Sequence, residues 1–159
     1  MENKMETHNE LDNLLLSFWQ TFPPIWHETR SLTHHIALDE FGITAAQFHL
    51  MRRIQEGKTS VSTLAECMHL SRPNISRAVD EMVNSKLVER TRDTNDRRNV
   101  ELSLTAKGQD LLKNLLDRIG SKMKAKFVSL SPDEIVLLES AFNILRRSLI
   151  SSEKKVKRA

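Results

Sequence analysis

The stretch with the most chemical content is Ser71-Arg72-Pro73-Asn74-Ile75-Ser76-Arg77. It places hydroxyls, an amide and two guanidinium groups at the start of an apolar-periodic run. Ser71 reads as an N-cap. Pro73 suits the first turn, where its missing N–H has no intrahelical acceptor. Ile75, Ala78, Val79, Met82 and Val83 then recur at the spacing of one buried helical face. The other face holds Pro73, Asn74, Ser76, Arg77, Asp80, Glu81 and Asn84. Such a face suits a polyanion whose edges form hydrogen bonds. A guanidinium fork matches a guanine edge or a phosphate, and hydroxyls and amides serve either. The preceding run, Ser62 to His69, reads as a shorter helix capped by Ser62. Two helices with a tight connection fit a helix-turn-helix.

A second set of cations follows. Leu87 to Arg92 and Asn99 to Leu104 alternate with period two, and the polar run Asp93 to Arg98 lies between them. This predicts a hairpin with Asp96, Arg97 and Arg98 at its tip. Arg98 at such a tip reaches a minor groove or a phosphate, and Asp96 orients it through a charge-assisted hydrogen bond. The bland reading is a solvated turn held by aspartate caps. Thr59 to Val61 is long enough for a very short third strand, and Thr105 caps the next helix.

Other reactive side chains carry less. Cys67 has no basic neighbour within a turn except His69, so a buried apolar role fits it better than a thiol sensor. One cysteine excludes an internal disulfide framework. His27, His34, His35 and His49 invite a metal, but His34 and His35 point about 100° apart on a helix. No metal or other cofactor is expected. No glycine-rich phosphate loop or nucleophile elbow is present, which argues against an enzyme.

The elements that must position these residues follow from periodicity. Leu11, Leu14, Leu15, Phe18, Trp19 and Phe22 predict a first helix, with Pro23-Pro24 expected to interrupt or kink it. A second limb runs through Ile25, Trp26, Thr29, Leu32 and Ile36 to a stop at Gly42. Phe18, Trp19, Phe22 and Trp26 are four of the eight Phe and Trp residues. They read as intersubunit core or as the wall of an apolar pocket, and packing is the commoner use. Thr44 to Gln47 is a capping box for a helix that buries Phe48, Met51 and Ile54. Thr105 to about Ser129 reads as a long helix. Ser131 to Glu134 is another capping box, opening a last helix through Leu138, Phe142, Leu145 and Leu149.

Net charge is +3, unevenly spread. Residues 1–41 hold two basic and seven acidic residues, whereas the remainder holds 22 basic and 14 acidic. A basic body suits a nucleic acid, although a solvated helical surface has the same composition. No run approaches the roughly 20 apolar residues of a membrane span, and the N-terminus lacks a signal-peptide core. A cytoplasmic protein without a membrane partner is expected. The expected fold is mainly α with a small β-wing. Residues 1–41 form a dimerisation helix, 42–108 the reading head, and 109–159 C-terminal dimerisation helices with a short basic tail.

Ile43-Thr-Ala-Ala-Gln-Phe48, Leu64-Ala-Glu66, Leu70-Ser71, Asp93-x-x-Asp96-Arg97-Arg98 and Leu102-x-Leu104-Thr105-x-x-Gly108 together resemble the MarR family. Those are winged helix-turn-helix regulators of bacteria and archaea that work as homodimers. The resemblance covers about residues 42–108. It implies a regulator, expected to be a repressor, that reads a pseudo-palindromic double-stranded operator through Ser71, Arg72, Pro73, Asn74, Ser76 and Arg77 and through the wing. It also suggests release by a small aromatic or lipophilic ligand. A pocket is expected where the first helix, the Thr44 helix and the start of the Thr105 helix meet. Trp26, Arg30, His34, Phe48 and Met51 are its candidate lining; filled core is the alternative. The competing function is a winged-helix interaction module without operator binding. Arg77 and Arg98 argue against it, since such a module has no use for cations on both surfaces.

Overall fold

The computed structural model describes residues 2–92 and 100–150. It forms two compact units, one up to Gly120 and one from Ser121 onward. The order is α1 (Glu2–His35), α2 (Ala45–Gln55), α3 (Val61–Met68), α4 (Arg72–Asn84), β1 (Val88–Arg92), β2 (Val100–Leu104), α5 (Ala106–Phe127) and α6 (Pro132–Leu145). Helix α5 runs through the boundary between the units.

Helix α1 continues through Pro23 and Pro24, so the expected interruption does not occur. The prolines remove two donors, whose acceptors would be the carbonyls of Trp19 and Gln20. Both residues are exposed, so water can satisfy those carbonyls. The helix then widens into a π-helical turn, Ile36–Glu40, which buries Ile36 and Ala37. Glu40, at its end, accepts a 2.6 Å hydrogen bond from Arg118 of α5. Gly42 stops the segment at φ +66° and donates its N–H to the Leu38 carbonyl.

The Thr44 capping box forms as expected. The Gln47 N–H donates to Thr44 Oγ1 at 3.2 Å, and the Thr44 N–H donates to Gln47 Oε1 at 2.9 Å. Helix α3 is capped by Ser60 instead of Ser62, with Ser60 Oγ accepting from the Thr63 N–H at 3.1 Å. The helix therefore starts two residues early, which leaves no room for a third strand. Thr59 instead makes one ladder-like bond, accepting from the Leu102 N–H at 2.8 Å. Among the described residues the sheet has two antiparallel strands, with Val88 opposite Leu104 and Arg90 opposite Leu102.

The first unit has one apolar core. Phe48 and Met51 of α2, Leu64 of α3, Ile75, Val79 and Met82 of α4, Leu102 of β2, and Leu112 and Leu115 of α5 all contribute. Burying each such side chain is worth about 1.5–3 kcal/mol. Helix α6 opens on the Ser131–Glu134 capping box and is followed by a second π-helical turn, Arg146–Ile150. No residue of α6 is buried. Among the described residues, no helix is long and apolar enough to cross a membrane.

The start of α5 is latched to the turn after α4. The Thr105 N–H donates to the Leu87 carbonyl at 3.1 Å, and Thr105 Oγ1 donates to the Lys86 carbonyl at 2.7 Å. The same hydroxyl caps α5 by accepting from the Gly108 N–H at 3.1 Å. A Cβ on Gly108 would stand 2.1 Å from the Leu87 carbonyl oxygen. Backbone meets backbone there, so no rotamer change can make room. Gly108→Ala is expected to destabilise the fold by at least about 1–3 kcal/mol, the usual range for overpacking. Urea unfolding checks this; an unchanged midpoint would show that the latch is not needed.

Candidate nucleic-acid interface

The α3–α4 pair meets at a tight joint. His69 ends α3 in the left-handed region at φ 52°, and the Leu70 N–H reaches back to the Ala65 carbonyl at 3.0 Å. This is the bonding of a Schellman turn, made without glycine. Ser71 then caps α4, accepting from the Asn74 N–H at 3.4 Å. Ile75, Val79 and Met82 turn inward. Arg72, Pro73, Asn74 and Arg77 are exposed and Ser76 is half-buried. The six sequence-predicted residues of this helix therefore lie along its first two turns, five of them open to solvent. No ion pair is recorded for Arg72 or Arg77 among the described residues. Asp96, Arg97 and Arg98 lie outside the described residues.

One element of the site escaped the sequence reading. Arg90 shares the face of β1 with Val88, because strand side chains alternate. Val88 packs into the core, so Arg90 emerges from the same side beside α4. There its Nη2 donates to Asp80 Oδ1 at 2.6 Å. Both side chains remain partly exposed, 38% and 52%, so the pair adds no more than about 1 kcal/mol of stability. Its effect is geometric: it ties the wing strand to the middle of the exposed α4 face. A cation in phase with buried Val88 was the available signal. Glu101 of β2 is exposed on the other face.

The candidate ligand residues divide. Phe48 and Met51 are core side chains, 3% and 0% exposed. Trp26, Arg30 and His34 are exposed on α1. His49 of α2 has its ring 5.2 Å from that of Phe48. Burial lowers the His49 pKa below its usual value, and Arg52, Arg53 and Arg30 lower it further. No group of three potential metal ligands occurs among the described residues. Cys67 is exposed instead of buried, which corrects the expectation of an apolar core role.

A helix-turn-helix backed by a two-stranded ribbon, with an exposed cationic first half on its second helix, defines a winged helix-turn-helix DNA-binding protein. The MarR family model matches residues 43–100. The chain is 33% identical over 107 residues to YhbI, an uncharacterized HTH-type transcriptional regulator of Bacillus subtilis, covering 65% of this chain and 69% of that one. It is 29% identical over 103 residues to the B. subtilis transcriptional repressor MdtR, covering 64% and 65% of the two chains. A MarR family protein from Bacillus stearothermophilus superposes with a TM-score of 0.74 at 24% identity, covering 92% of this chain and 97% of that one. A Staphylococcus aureus MepR variant, bound to an oligodeoxyribonucleotide, superposes at 0.62 with 20% identity, covering 83% and 97%. This chain belongs to the MarR family and is a DNA-binding transcriptional regulator.

The lowered His49 pKa has a consequence with a definite sign. Between the folded and unfolded pKa values the unfolded chain binds more protons, so stability rises with pH. Stability contributed by neutral His49 is complete well above the unfolded value of about 6.5 and is lost as pH falls through that value toward the folded pKa. His49→Gln is expected to lessen the loss of melting temperature between neutral pH and mildly acidic pH. Equal losses in both proteins would remove His49 from the account.

Proposed function

We propose that the chain represses transcription as a homodimer on a pseudo-palindromic operator and releases it when a small molecule binds. The observation that carries the DNA reading is the exposed, cation-bearing first half of α4, supported on its other side by core. In this reading Ser71, Arg72, Pro73, Asn74, Ser76 and Arg77 face the major groove, with Arg77 as the fork for a guanine edge. Asp96, Arg97 and Arg98 work at the adjacent backbone or minor groove. Repression is supported by the likeness to MdtR, whose name describes a repressor.

The dimer reading rests on apolar surface that the chain leaves uncovered. Leu14, Trp19, Phe22 and Trp26 on α1 are each 47–67% exposed. Phe142, on α6, is 57% exposed. Each unit thus carries its own unpartnered apolar face. A second copy would cover both under two-fold symmetry, with Leu14, Phe18, Leu138, Phe142 and Leu145 in the contact. The functional division is then dimerisation through 1–41 and 109–159, with reading by 42–108. Two recognition helices would sit roughly 34 Å apart, one helical turn of DNA. Trp26, Arg30 and His34 could line a ligand site only where another surface completes the wall, and that copy can supply it.

Binding titrations against operator and mixed duplexes test the DNA reading. Arg77→Ala is expected to cost about 1–3 kcal/mol on the operator and to relax sequence preference. Arg98→Ala is expected to weaken binding on every sequence and to flatten the salt slope by about one unit. Wild-type affinity, preference and slope in both variants would favour the interaction-module alternative. Light scattering at micromolar concentration is expected to give twice the chain mass; a stable monomer would contradict the dimer.

A further inference from the structure

We propose that Arg90 is a positioning residue for DNA reading: it holds Asp80 off Arg77 and so keeps the Arg77 guanidinium available to a base edge. The proposal rests on the reading of Arg77 given above and adds a residue outside α4 on which that reading depends. Arg77 has two carboxylates on its own helical face. Asp80 follows it by three residues and Glu81 by four, and side chains at those spacings are neighbours on a helix surface. Either could take the guanidinium as an ion-pair partner, and all three residues are exposed. Among the described residues Arg77 nevertheless has no ion pair.

The reason lies in the partners of the two carboxylates. Glu81 Oε2 accepts from Gln47 Nε2 of α2 at 3.3 Å, which draws it toward α2. Asp80 Oδ1 accepts from Arg90 Nη2 of β1 at 2.6 Å. The second bond is the stronger, being short and charged at both ends. The competing pair within α4 is of the weaker kind, because a cation placed N-terminal to its anion opposes the helix dipole. Asp80 therefore stays with Arg90 in the free protein, and Arg77 is left to solvent.

What Arg90 prevents follows from the chemistry of the DNA. A guanine edge accepts two hydrogen bonds from one guanidinium fork. If Asp80 held that fork, the ion pair would have to break before the base could be read. The freed carboxylate would then stand near the phosphates with its charge uncompensated. With Arg90 in place neither cost arises: the fork is open, and the carboxylate has a cation from β1. Loss of Arg90 therefore falls on sequence preference more than on general attraction to a polyanion. A phosphate contact made by Arg90 itself would do the opposite and weaken all duplexes alike.

A double-mutant cycle, titrated with operator and with mixed duplex, separates these outcomes. Arg90→Gln is expected to weaken operator binding several-fold and mixed-duplex binding much less, so that preference for the operator falls. Introduced together with Asp80→Asn, or together with Arg77→Ala, the same change is expected to add less than about a twofold loss, because the competitor or the fork is already gone. Equal losses on both duplexes, or an undiminished loss in either background, would overturn the proposal. Proton–nitrogen correlation spectra of the arginine side chains report the pairing without DNA. The Arg77 Nε–H signal is expected to move in Arg90→Gln and to return when Asp80→Asn is added. A signal that stays in place in Arg90→Gln would also overturn the proposal. If Arg77→Ala alone left operator affinity unchanged, the reading of Arg77 would fail, while the spectra still decided whether Arg90 holds Asp80 off it.

Discussion

Three backbone carbonyls, those of Ser85, Lys86 and Leu87, hold the reading head together. They close α4, begin the wing and receive the start of α5 through Lys107 Nζ, Thr105 Oγ1 and the Thr105 N–H. Each of these bonds is individually modest, about 1 kcal/mol net. Their effect lies in where they fall. Helix α4, the strand β1 and the long helix α5 all meet within three residues. Gly108 lets α5 approach that turn at backbone distance. The Arg90–Asp80 pair adds a brace from the wing to the exposed face of α4. Helix α5 is therefore tied to the end of α4 without any long chain of side-chain contacts.

The apolar residues divide between two uses. Those of α2 to α5 close around one core inside the first unit. Those of α1 and α6 leave large side chains in solvent: Leu14 is 63% exposed and Leu137 69%. Phe18 stacks on Phe22 at 5.1 Å along α1, so the aromatic cluster is ordered on the surface instead of being drawn inward. In a dimer such a surface would link folding to assembly, because anything that binds only the folded chain stabilises it by mass action.

Much of this was legible because it is local. A serine or threonine followed three residues later by glutamine or glutamate marked the starts of α2 and α6. Ser71 with Pro73 marked α4, and period-two alternation marked the ribbon. What failed depended on neighbours distant in sequence. Ser62 was read as the cap of α3, but Ser60 takes that place by accepting from the Thr63 N–H. The π-helical turn at Ile36 buries Ile36 and Ala37 in a core built mostly of later residues, which local spacing does not reveal. Pro23 and Pro24 carried too much weight, since an exposed helix can leave two carbonyls to water. Arg90 and Asp80 lie on different elements, so no spacing rule joins them.

Lys86 occupies the left-handed region at φ 59°, within the turn that receives α5. A residue with a Cβ pays about 1–2 kcal/mol there, and glycine would not. The Leu87 N–H bond to the Met82 carbonyl at 2.9 Å and the bonds from Thr105 hold it in place. The Leu87 bond belongs to the end of α4 itself, so the turn is already shaped where α5 packs against it, and the strain at Lys86 is a standing cost of ending α4 at this place.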